Sequence, residues 1–167
     1  MADKHAIVRT DNMSATTDGS LIVSGRFYDA DDNKAEIDNG NIVHIGDYDT
    51  NEREVRKVTA PSATSKIKNI GLVVTPELIY DESTHHGLED FVNPADSEIT
   101  IMRFHENDIF SATAEAFNGT PAKGKFADIG TTTKLKVSDA ESTATIGKIV
   151  DKETKGMDTY YVVQVTM

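Results

Sequence analysis

Short apolar runs broken by polar turns dominate the chain, and their period is closer to two than to 3.6. Ile42-Val43-His44-Ile45, Glu54-Val55-Arg56-Lys57-Val58 and Ile70-Gly71-Leu72-Val73-Val74 are β-branched runs separated by Gly, Asp, Asn, Ser and Pro, the pattern of a small antiparallel sheet. Glu98-Ile99-Thr100-Ile101-Met102-Arg103-Phe104, Lys134-Leu135-Lys136-Val137, Ala144-Thr145-Ile146-Gly147-Lys148-Ile149-Val150 and Thr159 to Thr166 continue it. In the last run Tyr161, Val163 and Val165 alternate, while Tyr160 and Val162 are apolar too, so both faces are expected to be covered. The chain is therefore read as mainly β.

Three segments depart from this pattern. Residues 1–20 are polar apart from Ile7-Val8 and cannot bury enough surface to fold alone. They are expected to form an extended N-terminal arm; the alternative is a short edge strand at 5–10 followed by a disordered stretch. Residues 76–120 read as an irregular or helical insertion in a single domain spanning 21–167. Within that insertion Ile109, Phe110, Thr113, Ala116 and Phe117 fall at helical spacing between an Asn107 or Asp108 cap and the Asn118-Gly119 stop, which predicts one short α-helix. The third is the acidic loop 29–38, which ends at the turn pair Asn39-Gly40.

At 167 residues the chain is the size of one domain, and with 38% hydrophobic residues and no Trp its core rests on Ile, Val, Leu and a few aromatics. The absence of Cys excludes disulfides, thiolate metal sites and a cysteine nucleophile. A formal charge of −11 disfavours nucleic acid and anionic lipid, which need clustered Lys and Arg. No run is long enough to span a membrane and the start resembles no export signal, so a soluble product is expected, with no nucleic-acid and no membrane partner.

Candidate chemistry is thin. Asp29-x-Asp31-x-Asn33 copies the first half of a calcium loop, but Lys34 stands where the turn needs Gly, and Gly40 replaces the bidentate Glu. It reads as a solvated acidic loop, with weak calcium binding as the alternative. His85 and His86 are adjacent, so on a regular element they diverge and cannot chelate one ion. His44 reads as a strand residue, and His105 as a residue preceding a cap. No Gly-x-Ser-x-Gly and no phosphate-cradling loop occurs, Lys123-Gly124-Lys125 being too short. The expectation is a protein that is not an enzyme, with no cofactor, no metal and no catalytic residue.

Several stretches in order along the chain carry a family cadence: Val8-Arg9-Thr10-Asp11-Asn12, Asp38 to Val43, Glu52-Arg53-Glu54-Val55, Pro76 to Glu82, Asp108-Ile109-Phe110-Ser111 and Thr133 to Val137. Together they resemble the small capsid decoration proteins, also called cement or head-stabilising proteins, of tailed bacteriophages, particularly of Gram-positive hosts. That resemblance implies a small β-barrel or β-tulip core with an N-terminal arm. It implies synthesis in the host cytoplasm and a place on the capsid exterior, where the protein bridges subunits of the major capsid protein, with a trimer as the favoured oligomer. Ile7, Val8 and Arg9 are then the expected capsid-binding residues, and deleting 2–12 is expected to weaken attachment and leave the fold intact. The rival readings are a head-fibre base or tail component and, from a different class, a metal hydrolase using Asp29, Asp31, His85 and His86.

Overall fold

The β-branched runs become strands, and they divide between two sheets. The computed structural model describes residues 4–50, 52–62, 64–78 and 87–167. In chain order the strands are β1 (Val8–Asn12), β2 (Ile22–Tyr28), β3 (Ile42–Tyr48), β4 (Val55–Thr59), β5 (Ile70–Val73) and β6 (Ile99–Arg103). They continue with β7 (Ile109–Thr113), β8 (Phe117–Asn118), β9 (Phe126–Asp128), β10 (Leu135–Ser138), β11 (Thr145–Lys155) and β12 (Asp158–Val165).

Strands β2, β4, β3, β5 and β6 close a barrel in that order. β2 runs antiparallel to β6 and parallel to β4, so the barrel is mixed, whereas the sequence suggests antiparallel pairing alone. Val43, Ile45, Val58, Val73, Ile99 and Ile101 fill its interior, and Ile37 packs with them. Space there is set by glycine: a Cβ on Gly71 would lie 2.4 Å from Ile101 Cγ2, and one on Gly25 would lie 2.6 Å from Ile101 Cδ1. Both strands give up a side chain so that one isoleucine can occupy the centre at interior density.

The other seven strands form one sheet in the order β1-β7-β12-β11-β9-β10-β8. A second core lies between this sheet and the outside of the barrel. There Ile42, Ile70 and Leu72 join Phe110, Leu135, Ile146, Ile149, Val163 and Val165, and the Phe104 and Phe110 rings meet at 5.7 Å. Strands β3 and β5 thus serve both cores, Ile42, Ile70 and Leu72 facing the sheet and Val43 and Val73 the barrel. Burial on both faces is why their apolar runs are continuous.

Two expectations change. The segment 109–117 is strand β7 followed by a short 3-10 turn at Ala114–Ala116, where helical spacing suggests an α-helix. β7 lies between β1 and β12, and Ser111 and Thr113 are buried along with Phe110 and Ala112. A run this short and buried on both faces cannot be told from a helix by periodicity. Nor is 76–120 an insertion, since β6 closes the barrel and β7 is an interior strand of the sheet.

The N-terminal segment departs from an extended arm as well. It is edge strand β1 followed by two 3-10 turns, with Ala6, Ile7, Met13 and Ala15 each no more than 3% exposed. Buried Asp108 fixes its far end, accepting from the Ser14 amide at 2.8 Å, the Ser14 hydroxyl at 2.7 Å and the His105 amide at 2.9 Å. Ser14 and Asp108 are 94 positions apart, beyond the reach of local composition.

Candidate functional site

Of the residues expected to bind a partner, Ile7 immediately precedes β1 and Val8 and Arg9 begin it; β1 pairs with β7 on one side and ends the sheet on the other among the described residues. Ile7 points inward, its amide bonded to Thr113 Oγ1 at 3.2 Å and its carbonyl to the Thr113 amide at 3.0 Å. Val8 is half-buried against the second core. Arg9 is half-buried above the Tyr160 ring, 5.5 Å from its centroid, with Asp11 at 3.4 Å and Glu153 at 3.9 Å. Val8 and Arg9 therefore remain partly accessible on an open strand edge, and Ile7 does not.

Three carboxylates of the acidic loop are engaged by the protein's own fold. Asp29 Oδ1 accepts the amides of Asp31 at 3.0 Å and Asn33 at 2.8 Å, an Asx-type turn. Asp32 pairs with Lys57, and Asp38 with His5 at 2.7 Å. Among the described residues no group of three or more His, Asp or Glu side chains is placed to hold a metal ion. His85 and His86 lie outside the described residues. His44 is half-buried on β3 opposite Ile70, and exposed His105 bonds the Glu106 carbonyl through Nδ1 at 3.0 Å.

Sequence reasoning passed over a charged cluster at one end of the barrel. Arg26 on β2 donates to Asp49, just past β3, at 2.6 Å, and Asp96 stands 3.4 Å from the same guanidinium, with Glu98 at 3.8 Å and Glu52 at 3.9 Å. The Tyr28 hydroxyl and the Thr50 amide also donate to Asp49, at 3.0 and 2.8 Å. Burial pushes the Asp49 carboxyl upward, but the Arg26 guanidinium, the Thr50 amide and the Tyr28 hydroxyl outweigh it and hold the carboxyl below its ordinary 3.8. With its lone pairs committed, Asp49 rivets the end of β3 to β2 and is not poised as a base. No motif or spacing marks it, since Asp49 sits among polar loop residues.

A carboxyl with a lowered folded pKa contributes stability above its unfolded value, and that contribution is lost as pH falls through the folded value. Arg26→Ala strands a buried carboxylate beside Glu52, Asp96 and Glu98, so it should cost about 3 kcal/mol near neutrality. The cost should shrink below about pH 4 as Asp49 takes up a proton. Urea unfolding of both proteins at two pH values checks this, and an equal gap at both would contradict it.

Two more surfaces stand out. The β11–β12 hairpin extends beyond the core, with residues 151–157 exposed and Met157 at its turn 97% exposed. At the far edge of the sheet, beside β8, lies an open cleft of about 530 Å³ whose walls come from the β4–β5 connection and from β8 to β11. Among the described residues no helix is long and apolar enough to cross a membrane. Compared with protein-family models, with curated protein sequences and with solved structures, the chain matches none.

Proposed function

We propose that this chain is a non-catalytic structural protein of a tailed-phage virion. It binds the outside of the head and reinforces contacts between subunits of the major capsid protein. The observation that carries this reading is the outer edge of β1, where Val8 and Arg9 stand on a strand edge that no other strand pairs among the described residues. Such an edge accepts a strand from another chain, main-chain hydrogen bonds giving affinity and alternate side chains giving selectivity. Ile7 has a different role from the one expected of it: it holds β1 in register against β7, and the contact with the shell falls to Val8, Arg9 and the strand backbone.

Asp29, Asp49, Asp108 and Asp128 each accept hydrogen bonds from their own fold, which leaves them serving structure and supports a binding role over a catalytic one. A modest contact repeated over many copies suffices for stable decoration. A ligand that binds only the mature shell stabilises that shell by its differential affinity. A homotrimer at a local symmetry axis is the assembly this reading brings with it.

Cosedimentation of the purified protein with undecorated mature heads and with procapsids tests the proposal. Binding to mature heads is expected, and Arg9→Glu should weaken it about tenfold with unfolding unchanged. Binding to neither particle would defeat it.

A further inference from the structure

The cations of this acidic chain are unevenly distributed. Between Val55 and Thr75 there are four Lys or Arg residues and no acid; between Ala116 and Ser138 there are four Lys and one acid, Asp128. Asp128 is buried, its carboxylate engaged by the hydroxyls of Thr145 at 2.6 Å, Ser138 at 2.7 Å and Ser142 at 3.4 Å. These two segments face each other across the cleft beside β8, where Ser62 and Ser65 stand opposite Asn118, Thr131 and Lys136. Within the two segments Lys57, Lys123 and Lys125 are in ion pairs, as are Arg9, Arg26 and Lys34 elsewhere. Lys136, exposed in the cleft, and exposed Lys66, which follows Ser65, and Lys134, whose carbonyl lies beside Gly130, have no ion-pair partner among the described residues.

We propose that this cleft is a docking groove for an acidic, extended peptide segment of a partner protein. Uncompensated ammonium groups select carboxylates. The Ser62, Ser65 and Thr131 hydroxyls and the Asn118 amide can donate to carboxylate or main-chain oxygens. Asn118 belongs to β8, which among the described residues pairs with β10 alone and ends the sheet, so a strand laid in the cleft also gains backbone hydrogen bonds. Other ligand classes fit less well. The walls hold no aromatic residue, so neither sugar rings nor bases find a stacking platform. None of the exposed large apolar residues lines the cleft, which argues against a lipid surface. The inference stands apart from the capsid reading, because the groove lies at the opposite edge of the sheet from β1.

The test is an NMR titration of the isotope-labelled full chain with an oligoglutamate peptide at low ionic strength. Oligothymidylate and a sulfated oligosaccharide serve as the other arms. Oligoglutamate should shift the amides of Ser62, Ser65, Asn118 and Lys136, and added salt should weaken the effect. The double variant K66E/K136E should weaken binding about tenfold, whereas K123E/K125E, at lysines paired with Asp151 and Asp139, should not. Lys136→Gln supplies the same comparison if the charge reversals unfold. The proposal is overturned if these amides do not move, if K66E/K136E binds like the unaltered chain, or if either of the other anions binds more tightly than oligoglutamate.

Discussion

Gly147→Ala is expected to destabilise the protein by about 3 kcal/mol, more than an added methyl usually costs. Gly147 on β11 sits opposite Val165 on β12, in the most extensive strand pairing of the molecule. A Cβ there would lie 2.2 Å from the Gln164 carbonyl oxygen, 2.8 Å from its carbon and 3.0 Å from Val165 Cα. These are backbone atoms and cannot rotate aside, so the strands must separate where Ile146, Val163 and Val165 are fully buried. Gly19→Ala is the control, since nothing lies within 4 Å of the Cβ it would add. Urea unfolding should show a lower midpoint for Gly147→Ala with an unchanged slope. Equal midpoints for the two variants would mean that β11 and β12 do not pack this closely.

Removal of residues 2–12 should unfold the protein or drive it to aggregate, contrary to the expectation of a dispensable arm. The deletion takes away strand β1 with buried Ala6 and Ile7, and it bares the edge of β7, whose residues 110–113 are all buried in the intact fold. An interior strand converted to a free edge is a template for intermolecular pairing. Ile7→Ala isolates the packing part and should cost about 2–4 kcal/mol. Thermal unfolding with light scattering follows both variants. A truncated chain that melts like the full one would show that β1 contributes nothing to the fold, and would return this segment to the role of a free arm. The same result bears on attachment experiments: a truncation that fails to bind heads reports lost folding, whereas Arg9→Glu leaves the buried side chains in place.

Much of the strand content was legible, because β-branched runs bounded by turn residues need no distant information. β3, β5, β6, β11 and β12 all fall on such runs. β2 and β9 did not announce themselves. Ile22 to Tyr28 mixes Ser, Gly and Arg with its apolar residues, and its glycine is there to admit Ile101 from another strand. The Arg26–Asp49 pair and the basic cleft were equally hidden. Each is assembled from segments that are unremarkable alone, and the cleft is marked in the sequence only by a local shortage of acids.

By itself, then, the sequence determined a β-rich chain, its turn-separated strands, its acidity, and its lack of cysteine chemistry, all of which follow from residue type and spacing over a few positions. The tertiary structure alone decided the pairing: which strands close the barrel, that 109–113 is a strand, and that the N-terminal segment is an edge of the sheet. The physical reason is that strand propensity is satisfied by many partners. A short apolar run gains its stability from whichever neighbours bury it, here Asp108 for Ser14, Thr113 for Ile7 and Ile101 for Gly25 and Gly71.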